Sequence, residues 1–116
     1  SELMAQNLLL LSVGHCLRDQ VLEACARFAQ PGDNGKQGNS LETLRSMVAS
    51  NLGITVMPAT AFTPKYASQL VKRVAFADPV PGRRIVLATR QDFYRPRAIA
   101  LLAAALRGLD LPITPV

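Results

Sequence analysis

The stretch GHCLRDQVLEAC, residues 14 to 25, holds the only histidine of the chain and both of its cysteines. A thiolate is the nucleophile of cysteine chemistry, and its reactivity rises near cations and at helix N-termini. His15 beside Cys16 therefore suits two kinds of work. The imidazole can tune the thiolate or hydrogen-bond an oxidant, or the pair can serve as an acyl-transfer dyad. Successive side chains point apart, which disfavours the dyad, and there is no second histidine to take its place. Two cysteines and one histidine fall short of a four-ligand structural zinc site, so neither metal nor cofactor is expected. Without a secretory leader the two thiols suit a reducing compartment, the cytoplasm, where a disulfide is transient and catalytic or redox-sensing.

What the thiols can do depends on the element that carries them. Leu8 to Val13 is an apolar run of strand length closed by Gly14. A helix is predicted from Cys16 to about Ala29, with Leu17, Val21, Cys25 and Phe28 on one face. Cys16 then sits at the helix entry, where first-turn amides and the helix dipole favour an anion. Cys25 falls mid-helix on the apolar stripe, and taken alone reads as a small buried hydrophobe. The two are nine residues apart. That is about 13.5 Å of helical rise, with the side chains on roughly opposite faces. A disulfide needs Cα atoms within about 7 Å. With the helix intact none can form; if the thiols do pair, the helix between them must unwind, and oxidation is coupled to a change of conformation.

The remaining elements alternate. QPGDNGKQGNS (30 to 40) reads as a loop. Asn39 with Glu42 resembles a capping box, and Leu41, Leu44 and Val48 supply the stripe of a second helix stopped near Asn51 and Gly53. ITVMP reads as a buried strand ended by Pro58, with a short helix or turn over 58 to 62. LVKRVAF and RRIVLATR read as strands flanking the turn DPVPG, and Pro96 opens a last helix to about Leu106 with Gly108 past its end. Alternating strands and helices predict an α/β fold with parallel pairing. The last helix contains AIALLAAAL, apolar nearly all round, and so calls for cover on several sides.

Composition narrows the function classes. At 116 residues the chain is at most one domain. Its longest apolar runs are far shorter than the roughly 20 residues of a membrane helix. Net charge is +5, yet the 13 basic residues are scattered in singles and pairs, with no RNP-like or zinc-finger spacing, which argues against direct nucleic-acid binding. The chain opens on Ser1 rather than methionine and is expected to be a piece of a longer protein.

GHCLRDQVLEAC together with SLETLRSMVASNLGITVMP closely resembles the regulatory domain of the peroxide-sensing members of the LysR-type transcriptional regulators. The likeness runs from near Leu3 to about Arg90, most of this chain but less than half of such a regulator. It implies a periplasmic-binding-protein-like α/β regulatory (effector) domain, present as a fragment. Residues 1–82 would belong to the second regulatory subdomain. Residues 83–116 would supply a return strand and terminal helix of the first, and the DNA-binding winged helix-turn-helix would be absent. Cys16 would be the peroxidatic cysteine and Cys25 the resolving one. His15, Arg18, Asp19 and Arg83 would bind peroxide or stabilise the thiolate, and Glu42 would lie on the dimerisation surface. The implied partners are hydrogen peroxide, further copies of the chain in a homotetramer, RNA polymerase, promoter DNA through the missing domain only, and thioredoxin or glutaredoxin as reductants. The chain would be a sensor and not an enzyme. Two other readings stand beside it: a two-cysteine thiol peroxidase, marked by rapid turnover, and a small-ligand LysR-type effector domain in which Cys25 is merely core.

Overall fold

The computed structural model describes residues 7–25 and 36–114. They form two compact units, Ser1–Ala75 and Phe76–Val116. The first is organised around one apolar segment. β1 (Leu10–Leu11) pairs in parallel with β2 (Gln37–Gly38), in the register Leu10 to Gln37 and Leu11 to Gly38. On its other side Leu8 forms a parallel bridge with Ile54. Successive residues of a strand hydrogen-bond to opposite neighbours. Accordingly Leu9 N–H donates to Ile54 O (2.8 Å) while Ser12 N–H donates to Gly38 O (2.9 Å). The segment around β1 is thus central, and helices connect it to both neighbours, as parallel pairing requires.

A central parallel strand buries both faces, and three consecutive leucines meet that demand: Leu9, Leu10 and Leu11 are all buried. Leu9 and Leu11 point to one face and pack with Leu44 of α2 (Leu41–Ala49), backed by Leu41, Met47 and Val48. Leu10 points to the other and packs with Val21 and Cys25 of α1 (Cys16–Cys25). Each such side chain contributes about 1.5–3 kcal/mol relative to exposure. Gly38 allows α2 to come this close, because a Cβ there would lie 2.9 Å from Leu44 Cδ2.

The start of α2 departs from the capping box expected at Asn39 and Glu42. Ser40 is the cap, its hydroxyl accepting from Thr43 N–H (3.1 Å), and Asn39 Oδ1 accepts instead from the Thr43 hydroxyl (3.0 Å). Serine at this position leaves Thr43, not Glu42, three residues on. Asn51 ends the helix in the left-handed region (φ 59°), with Asn51 N–H bonded to Val48 O and Leu52 N–H to Met47 O, the pairing of a Schellman cap. Beyond a single bridge at Ile54 the expected ITVMP strand does not extend, and the turn expected over 58 to 62 is a 3-10 turn, Ala59–Ala61, followed by a second at Pro64–Tyr66.

Neither LVKRVAF nor RRIVLATR forms a strand. A strand persists only when its backbone groups find a ladder partner, and no neighbouring strand flanks these stretches among the described residues. Ile85 and Val86 stand 69% and 70% exposed in consequence. In the second unit α3 (Pro96–Arg107) begins on its proline and ends with Gly108 N–H on Ala104 O, close to the expected bounds. Its Leu101, Leu102 and Leu106 are exposed, so the expected demand for cover stands. Among the described residues no helix is long and apolar enough to cross a membrane.

The two-thiol helix as candidate redox site

α1 is flanked by its two cysteines, and the turn before it fixes where the first one sits. Gly14 adopts φ 98°, a conformation glycine reaches at little cost, and reverses the chain after β1. His15 N–H donates to Ser12 O (3.3 Å), and His15 O accepts from Arg18 N–H (2.9 Å) to open the helix. Cys16 is the first helical residue and is exposed. It occupies the end of α1 where backbone N–H groups lack intrahelical acceptors and the helix carries partial positive charge. His15 and Asp19 lie exposed on the same turn.

Arg18 faces inward. It is half-buried, and its Nη1 donates to Leu11 O at 2.8 Å, tying the first turn of α1 to the end of β1.

Nine residues further along the helix Cys25 is 6% exposed and packs against Leu10 and Val21, with Leu8, Leu22 and Val56 around them. Burial pushes its thiol up from the ordinary cysteine value near 9.0 by penalising the thiolate. Both thiols are free. The helix between them is continuous, so its rise holds them about 13.5 Å apart, well beyond the reach of a disulfide. One thiol is open to a dissolved oxidant and the other is withheld from it by the same helix.

The structure therefore gathers His15, Cys16, Arg18 and Asp19 on one turn and places Cys25 nine residues along the helix from Cys16. Glu42 lies in the first turn of α2, its side chain 63% exposed and 3.9 Å from Arg45 Nη1, an ion pair of little energetic consequence. Arg83 belongs to the second unit, exposed in an irregular segment. Among the described residues no group of three or more His, Cys, Asp or Glu is placed to hold a metal ion. Two arrangements were not legible in the sequence. Besides the Arg18 contact, Arg45 donates to Ala61 O (2.6 Å) and stacks on the Tyr66 ring at 4.2 Å, fastening both 3-10 turns to α2. Both are long-range side-chain contacts with no local pattern; an arginine at a semi-buried helix position is the only hint.

Comparison with known proteins bears on the family and the fold. The family model for the LysR substrate binding domain matches residues 1–110. The chain is 45% identical over 113 residues to a Streptomyces viridosporus protein named "Probable hydrogen peroxide-inducible genes activator", covering 92% of this chain and 36% of that one. It is 37% identical over 108 residues to the DNA-binding transcriptional dual regulator OxyR of Escherichia coli K12, covering 93% and 35%. Among solved structures it matches a reduced form of OxyR from N. meningitidis with a TM-score of 0.81 and 42% identity, over 95% of this chain and 50% of that one. The chain thus spans about a third of the length of these curated relatives, at 36% and 35%. By the family match, and with the α/β architecture seen here, the chain belongs to the LysR substrate-binding domain family, whose fold is periplasmic-binding-protein-like.

Proposed function

We propose that this chain is the redox-sensing part of a hydrogen peroxide-responsive LysR-type transcriptional regulator, with Cys16 as the peroxidatic cysteine and Cys25 as the resolving one. The observation that carries the reading is a continuous helix, Cys16–Cys25, with an exposed thiol on its first turn and a buried thiol nine residues on. The Cys16 thiol attacks one peroxide oxygen and the O–O bond breaks, leaving a sulfenic acid and one water. The Cys25 thiol then displaces the sulfenic hydroxyl, which leaves as a second water as the S–S bond forms. Two electrons pass from the thiols to peroxide. The second step requires α1 to unwind, and the unwinding is the signal.

In this reading His15 and Asp19, beside Cys16, and Arg83, from the return segment, serve peroxide binding or thiolate stabilisation; Arg18, grouped with them by the resemblance, turns its guanidinium to Leu11 O. The helix bearing Glu42 serves dimerisation. Residues 1–82 belong to the second regulatory subdomain and 83–116 to the first. The whole regulator works in the cytoplasm as a homotetramer, binds promoter DNA through a separate domain, recruits RNA polymerase and is reset by thioredoxin- or glutaredoxin-type reductants. It turns over once per activation and is not an enzyme. The similarity to peroxide-inducible activators supports this reading. Its test is sulfenic-acid trapping in the whole regulator: Cys25→Ser should accumulate an adduct at Cys16, and Cys16→Ser should give none. A Cys16→Ser regulator that still responds to peroxide would overturn it.

A further inference from the structure

Two contacts fasten the turn that carries Cys16. Ser12 donates to Gly38 O from both its backbone N–H (2.9 Å) and its hydroxyl (3.2 Å), fixing the end of β1 to β2. Arg18 supplies the other. Along the central segment the odd-numbered residues bond toward 54–55: Leu9 N–H donates to Ile54 O, and Leu9 O accepts from the Thr55 hydroxyl at 2.9 Å. Leu11 is the next residue in that series, and its carbonyl accepts from Arg18 Nη1 at 2.8 Å. An ionised donor makes this bond stronger than a neutral one. The carbonyl is held by the strand, whereas the guanidinium rides on the first turn of α1, two residues from Cys16.

We propose that Arg18 is the latch of the reduced state: a positioning residue that pins the first turn of α1 to Leu11 O and so sets how readily the Cys16–Cys25 disulfide forms. The proposal deepens the redox reading above and rests on it for its second step. When the two thiols lose two protons and two electrons and join, the helix between them opens; in this proposal the part that moves is the first turn, and Arg18 leaves Leu11 O with it. The bond exists only in the helical, dithiol form. Removing it destabilises that form alone and moves the equilibrium toward the disulfide.

The test uses the whole regulator carrying Arg18→Met or Arg18→Lys, with two readouts. The first is the dithiol–disulfide equilibrium in glutathione buffers, in which oxidised glutathione takes up the electrons. The second is amide hydrogen exchange of α1 in the reduced protein. Loss of a charged hydrogen bond is expected to shift the equilibrium about tenfold toward the disulfide. For a two-electron couple that is a midpoint about 30 mV more negative. The α1 amides should exchange about tenfold faster, and lysine, which keeps a donor, should recover part of both effects. Unchanged midpoint and exchange in Arg18→Met would overturn the latch. So would a slower peroxide reaction with both readouts unchanged, which would make Arg18 a peroxide ligand instead. If the parent protein never pairs Cys16 with Cys25, the redox-switch reading fails, and the exchange measurement alone still decides the latch.

Discussion

Cys25 is withheld by packing, and packing can be loosened by a known amount. Val21 is 6% exposed and lies with Leu10 and Cys25 in the cluster between α1 and the central segment. Val21→Ala removes two methyl groups, about 1.6 kcal/mol at ~0.8 per buried carbon. The residual cavity adds to that, and the better helix propensity of alanine returns roughly half a kcal/mol. The net weakening of α1 is about 1.5 kcal/mol, close to a tenfold rise in the open population. Alkylation of Cys25 by a small thiol reagent, followed by mass spectrometry in a Cys16→Ser background, reads that population directly. Cys25 should label about tenfold faster in Val21→Ala. Val13, 79% exposed in the turn before the helix, gives the control: Val13→Ala should leave the rate unchanged. Equal Cys25 labelling in Val21→Ala and its parent would refute the idea that α1 packing guards the second thiol.

Two further outcomes follow from single groups. Ser40→Ala removes the cap of α2 and should lower stability by about 1 kcal/mol, whereas Asn39→Ala, which loses only a contact to the Thr43 hydroxyl, should cost less; chemical denaturation of the whole regulator compares them. Cys25 also predicts a pH dependence. Its folded thiol titrates above the ordinary value near 9.0, so on raising the pH the unfolded chain loses this proton first. The stability that the group contributes is complete below about pH 9 and is lost as the pH rises through the folded value. Denaturation midpoints of the parent and Cys25→Ser should run parallel below pH 9 and diverge above it, the parent falling faster.

Much of this was readable from local pattern. The stripe of Leu17, Val21 and Cys25 placed α1 and foretold the burial of Cys25; the described part of the helix ends at Cys25, and the rest of its expected span, with Phe28 and the first part of the 30–40 loop, lies outside the described residues. Pro96 and Gly108 marked α3 because each acts on its own backbone. Helices carry their hydrogen bonds within themselves, which is why their ends were legible. Strands do not. Val71 to Phe76 and Ile85 to Thr89 have strand composition, yet with no partner ladder among the described residues they stay irregular. At α2 the choice between Asn39 and Ser40 turned on one residue of register, since both side chains can cap. The site divides in the same way: the separation of the two thiols follows from helix geometry, while the Arg18 bond to Leu11 depends on how the helix folds back on its strand.

The measurement that tests the central claim most directly is non-reducing peptide mass mapping of the whole regulator, titrated with hydrogen peroxide, with amide exchange of residues 16–25 followed on the same samples. The account predicts a Cys16–Cys25 bridge at low peroxide, appearing together with loss of protection along α1. Oxidation of Cys16 alone, with Cys25 unmodified and the helix still protected, would contradict it.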